Sequence, residues 1–172
     1  MTCIIGIIVA LVLFVYVLEQ ILNKKGEATI AWETEKKTQA VKVAEEGDRL
    51  DFELEVPFKN YGSEDVVILD AFMRIYLPQE QYSDVLLRGK INRRSAMRED
   101  DYYEAMLAVP GTESLVLRFE AYAKNGKSLA EAVGNIPDVD VALYLECRGR
   151  GAVMPVKAYI TLTAEELRNL VK

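Results

Sequence analysis

The chain has 172 residues, a formal net charge of −6 and no histidine. The acidic balance weighs against general nucleic-acid binding, which needs lysine and arginine to neutralise phosphates, and against broad adhesion to anionic lipid. Without histidine, zinc sites, Ser-His-Asp triads and Cys-His dyads are excluded in their usual forms, and no catalytic residue, metal or cofactor is implied.

Residues 1–18 carry no charged side chain. A helix continued to Leu22 would span roughly the 30 Å of a bilayer core at about 1.5 Å per residue. No basic residue precedes the stretch, and the nearest resemblance to a cleavage site, "GEA" at 26–28, lies behind Lys24 and Lys25. A retained transmembrane anchor over 1–23 is therefore expected, in place of a cleaved signal or a buried helix. It would contact the lipid bilayer through residues 3–22, with a juxtamembrane linker at 24–27. Glu19 lies close enough to the end to reach the interface. Lys24, Lys25, Lys36 and Lys37 follow the span and none precedes it. That bias favours a single-pass protein of the cell membrane with a cytoplasmic domain, an extracytoplasmic one being the alternative. Cys3 falls in the anchor and Cys147 stands alone beyond it, so the domain has no disulfide of its own.

Residues 28–163 read as one all-β domain. "ATIAWET" near Ala28 is a weak strand. "LDFELEVPF" alternates strictly, with Leu50, Phe52, Leu54, Val56 and Phe58 on one side and Asp51, Glu53 and Glu55 on the other. The same period places Val67, Leu69, Ala71, Met73, Ile75 and Leu77 together. After a weak strand in "DYYEAMLAV" it returns at Leu115, Leu117, Phe119, Ala121 and Ala123, at Val139, Val141, Leu143, Leu145 and Cys147, and at Met154, Val156, Ala158, Ile160 and Leu162. Turn residues lie in "KNYGSED", "KNGK" and "CRGRGA". About seven antiparallel strands predict an immunoglobulin-like β-sandwich. The paired cysteines and intervening tryptophan of the immunoglobulin domain proper are missing, so the likeness is one of architecture and transfers no functional residue. In "TAEELRNLVK", Thr163 stands three residues before Glu166, which predicts a capped helix over 164–172 with Leu167, Leu170 and Val171 on its buried face.

The stretch "RGKINRRSAMR" stands out against the acidic background. Arg88, Lys90, Arg93, Arg94 and Arg98 are candidates to touch lipid headgroups or an acidic partner. The plainer reading is an inter-strand loop whose charges pair with the following "EDDYYE". Glu99, Asp100, Asp101 and Glu104 lack the spacing of a calcium loop. Trp32, Tyr102, Tyr103 and Tyr122 could form a ligand surface but fit strand packing better. Cys147, at an inward strand position, reads as a small buried hydrophobe.

These features predict a membrane-anchored, non-enzymatic interaction or scaffold module with a protein partner and no nucleic acid. One alternative is a tethered sandwich that binds lipid or an apolar ligand, marked by an open apolar groove between the sheets. Another is a carboxylate hydrolase using acids such as Asp70 or Glu120, marked by two carboxylates in one cleft with raised pKa values.

Overall fold

The alternation around Phe52 builds the central strand of the larger sheet. A computed structural model describes residues 2–24, 26, 28–78, 81–82, 84–100 and 103–171, without the side chains of 2–5 and 22–24. The nine strands among them are β1 (Ile30–Trp32), β2 (Val41–Glu46), β3 (Arg49–Asn60), β4 (Val66–Tyr76), β5 (Val85–Asn92), β6 (Met106–Ala108), β7 (Gly111–Ala123), β8 (Val139–Arg148) and β9 (Val153–Leu162). Three α-helices accompany them: α1 (Thr2–Lys24), α2 (Leu129–Gly134) and α3 (Ala164–Leu170).

Sheet A has the order β1-β3-β7-β5, with β2 also on β3, and sheet B the order β6-β4-β8-β9; every pairing is antiparallel. β1 and β2 share one edge of β3, pairing residues 58–60 and 49–53 respectively. Pro57, which has no N–H to give, falls between them, and its carbonyl accepts the Glu33 N–H at 2.8 Å. Leu50, Phe52, Leu54, Val56 and Phe58, with Leu115, Leu117 and Phe119 beside them, face Val141, Leu143 and Leu145 in one core, all at 2 % exposure or less. Phe52 and Phe119 stack at 5.0 Å between centroids. The centre of the space between the sheets is thus filled with side chains; a hollow remains at the edge where Ala71 and Met73 approach Gly89 and Ile91.

The expected seven strands are present, joined by two more. β2 is exposed along nearly its whole length and is held mainly by its ladder to β3. β5 occupies the first half of the basic stretch read as a loop, because Val85, Leu87 and Ile91 point into the core while Arg88 and Lys90 point out. β4 also corrects the expected register. Val66 and Ile68 are buried, whereas Val67 and Leu69 face outward. The cause is a β-bulge between Ile68 and Asp70, where Leu69 has no partner on β8. Beyond it Ala71 returns to the core.

Both short helices close the end of the sandwich far from α1. Ser128 and Glu131 form a reciprocal capping box on α2. On α3, Thr163 Oγ1 accepts the Glu166 N–H at 3.1 Å. The Glu166 carboxylate turns away to accept from Lys37 Nζ and the Ala40 N–H, tying the helix to the approach to β2. Leu167 and Leu170 are buried, so α3 docks on its own domain.

A helix is observed where the anchor was expected, with Ile7 through Ile21 exposing their large apolar side chains. Among the described residues no helix is long and apolar enough to cross a membrane. The two ends of the sandwich are distinguished by α1: it leads into β1 at the end carrying the connections 61–65, 109–110 and 149–152.

Candidate functional site

The outer faces of the two sheets differ in chemistry. On sheet A the outward residues of β3 and β7 form an ion-pair lattice. Arg49 Nε and Nη2 donate to Asp51 at 2.6 and 2.8 Å, and Nη2 also reaches Glu120 at 3.1 Å. Arg118 approaches Asp51 at 3.4 Å, and the Tyr122 hydroxyl donates to Glu120 at 2.9 Å. Burial alone would push the Asp51 carboxyl up, but Arg49 and Arg118 hold it below its ordinary value. An anion so held serves the sheet's electrostatics and is a poor proton donor.

Sheet B also has outward acids, Asp70, Glu146 and Asp140, but adds a cluster of rings. Phe72 and Tyr144, register partners on β4 and β8, stack at 4.8 Å with planes 7° apart. Arg74 lies 5.6 Å from the Tyr144 centroid, and Lys157 Nζ lies 5.1 Å from that ring and 4.7 Å from Tyr159. The nearby Lys157 ammonium, and then the Tyr76 phenol, draw the Tyr144 pKa down, while Tyr159 and Tyr144 hold the Lys157 ammonium above its ordinary range. Tyr76 and Tyr159 remain 48 % and 56 % exposed. The result is a surface of ring faces fixed by strand geometry, with two cations that can also donate to carboxylates or backbone carbonyls. An outer sheet face left to water needs neither.

The basic candidates meet a different fate. Arg88 faces outward on β5 in register with Glu120. Lys90 Nζ donates to the Glu99 carbonyl at 2.6 Å, and Arg93 forms a backbone bridge with Ala96. Arg94 reaches back across the sheet to Glu53 and Glu55, each at 2.6 Å, and Arg98 pairs with Asp100. Arg94 and Arg98 are thus paired with carboxylates, while Arg88 and Lys90 line one hollow on sheet A with Glu99, Arg118 and Glu120.

Trp32 is buried edge-on to Phe58, and Tyr103 is buried with its phenol pushed up by desolvation, so both serve packing. Tyr122 belongs to the sheet A lattice; Tyr102 and Asp101 lie outside the described residues. Cys147 is fully buried and its thiol is pushed up to about 11 by desolvation, the opposite of an activated nucleophile. Asp70 sits at the β4 bulge on sheet B and Glu120 on the outside of sheet A, so the two acids do not converge. Among the described residues no group of three or more acidic or cysteine side chains could hold a metal.

No protein-family model and no curated protein matches the chain. Solved structures do resemble it. A crystal structure described as an ApaA protein from Bordetella pertussis is 14 % identical, covering 80 % of this chain and 94 % of its own at a TM-score of 0.40. The GAE domain of GGA2p from Saccharomyces cerevisiae is 8 % identical, covering 80 % of this chain and 99 % of its own at 0.38. At these scores no residue role is carried over, and the chemistry of the faces stands on this chain's own side chains.

Sequence reasoning passed over Phe72, Tyr76, Tyr144 and Tyr159. The signal was available: they occupy the outward phase of strands whose inward phase was recognised, where β3 has Asp51, Glu53 and Glu55.

Proposed function

We propose that this chain is a single-pass membrane protein whose immunoglobulin-like sandwich is a non-enzymatic interaction module, docking a protein partner on the outer face of sheet B. The observation that carries the reading is α1. Its large apolar side chains between Ile7 and Ile21 are 41–62 % exposed, on every side of the helix. A helix apolar all round calls for an apolar surrounding, and the sandwich does not supply it. The strand orders β1-β3-β7-β5 and β4-β8-β9 match the ABED and CFG sheets of the constant-type immunoglobulin arrangement, with β6 added beside β4, which supports the finer fold assignment.

Tyrosine and arginine are the residue types that dominate protein interfaces. Sheet B offers Tyr76, Tyr144, Tyr159 and Arg74 on a rigid support. The lysine bias, carried by Lys24, Lys25, Lys36 and Lys37, favours a cytoplasmic sandwich. Cys147 is no reporter of the compartment, because a thiol in the core stays reduced on either side.

Photo-crosslinking in intact membranes tests the docking face. A benzoylphenylalanine at Tyr76 or Tyr159 should give a discrete adduct that the pair Tyr144→Ala and Lys157→Glu abolishes, whereas one at Val43 on β2 should give none. Equal labelling from all three positions would refute the assignment. A phosphatase fused after Lys172 should be inactive; activity would move the sandwich to the other side.

A further inference from the structure

We infer that the sandwich rests on the bilayer, with the α1-side corner of sheet B seated in the lipid interface; this relies on the membrane reading above. Leu107, Val67, Arg148 and Val153 form one row across all four strands of sheet B, in register through Val67 with Leu107 and Arg148, and Arg148 with Val153. At about 4.8 Å per strand the row is roughly 14 Å wide. Leu107 is 56 % exposed and Val153 47 %, and the bulged Leu69 and the following loop's Val109 extend the apolar surface on either side. Exposed aliphatic side chains clustered on a folded domain, here flanking Arg148, mark a contact surface.

The position of the row selects its occupant. α1 ends at Lys24 and β1 begins at Ile30. Five intervening residues reach about 18 Å at most. Gly26 and Ala28 of this tether line a surface hollow with Glu64, Gly149 and Met154, so the chain passes beside the β8–β9 turn that leads into Val153. Wherever α1 enters the bilayer, the apolar row is held within reach of the headgroups. Arg148 within the row and Arg150 in the turn are the cations such an interface favours; Arg150 also pairs with Glu64. A soluble partner would have to enter the narrow gap between this corner and the membrane.

Full-length protein in a Cys3→Ser background, reconstituted into phosphatidylcholine vesicles doped with phosphatidylserine, tests the inference. Cysteines introduced one at a time at Leu107, Val153 or Val43, with the native Cys147 buried in the core, would carry an environment-sensitive fluorophore, quenched by lipids bearing nitroxides near the headgroup. Val43 matches Val153 at 47 % exposure but lies on β2, which pairs the half of β3 remote from α1. Quenching several-fold stronger at Leu107 and Val153 than at Val43 is the expected result. Equal quenching in protein that floats with the vesicles would overturn the seated corner while leaving the anchor intact. Protein that fails to float would remove the anchor and the inference together.

Discussion

Gly89 makes the tightest test of how the two sheets fit. It lies on the inward phase of β5, and a β-carbon there would stand 2.6 Å from Met73 Sδ and 3.0 and 3.2 Å from two carbons of the Phe119 ring. Ordinary carbon contacts are about 3.5–4.0 Å. Met73 is flexible and partly buried, so its sulfur can swing aside. Phe119 cannot readily do so, being fully buried and stacked on Phe52. Overpacking of this kind costs about 1–3 kcal/mol. Replacing a strand glycine by alanine returns about 0.5–1 kcal/mol of that through backbone entropy. Taking the middle of each range, Gly89→Ala should destabilise the domain by about 1 kcal/mol. The chain's one tryptophan, Trp32, is buried against Phe58 and reports the transition by fluorescence in urea. In a Met73→Ala background the loss should shrink without vanishing, because the Phe119 contact persists. A Gly89→Ala protein as stable as its parent, at unchanged m-value, would show that the sheets are not in this contact.

Two further outcomes follow from the larger sheet. Phe52→Ala should cost about 3–5 kcal/mol as a large-to-small change in a closed core, whereas Glu53→Ala, which loses an exposed pair with Arg94, should cost no more than about 1 kcal/mol; equal losses would mean the faces are exchanged. Asp51 has a lowered folded-state pKa, so its contribution is complete above the unfolded value of about 3.9 and is lost as pH falls through the folded one. Asp51→Asn should be destabilised near neutrality, with the gap to the parent narrowing below about pH 4; a gap constant across a pH series of urea melts would contradict that role.

Much of the fold is legible where one face of a strand is wholly apolar. The inward rows of β3, β7, β8 and β9 follow the alternation, and the Thr163 cap marks the start of α3. β5 escapes that reading because Gly89 interrupts its inner row and Arg88 and Lys90 draw the eye to charge. β2 escapes it because a strand exposed on both faces has no burial pattern to show. The α2 capping box, Ser128 with Glu131, is visible in the sequence and simply passed over. The partners of the basic stretch are only partly local: Arg98 pairs with the neighbouring Asp100, whereas Arg94 is paired by Glu53 and Glu55, some forty positions earlier, and only the folded sheet brings them together.

The bulge in β4 separates two properties that strands usually bind together. Counting through it with Leu69 removed, Val66, Ile68, Ala71 and Met73 still fall on the inner phase and Val67, Asp70 and Phe72 on the outer one. Leu69 is thus a supernumerary residue: it can be deleted or exchanged without rotating any neighbour into or out of the core. What the strand displays toward its surroundings can drift independently of what it packs, and a one-residue deletion becomes a gentler edit here than many substitutions.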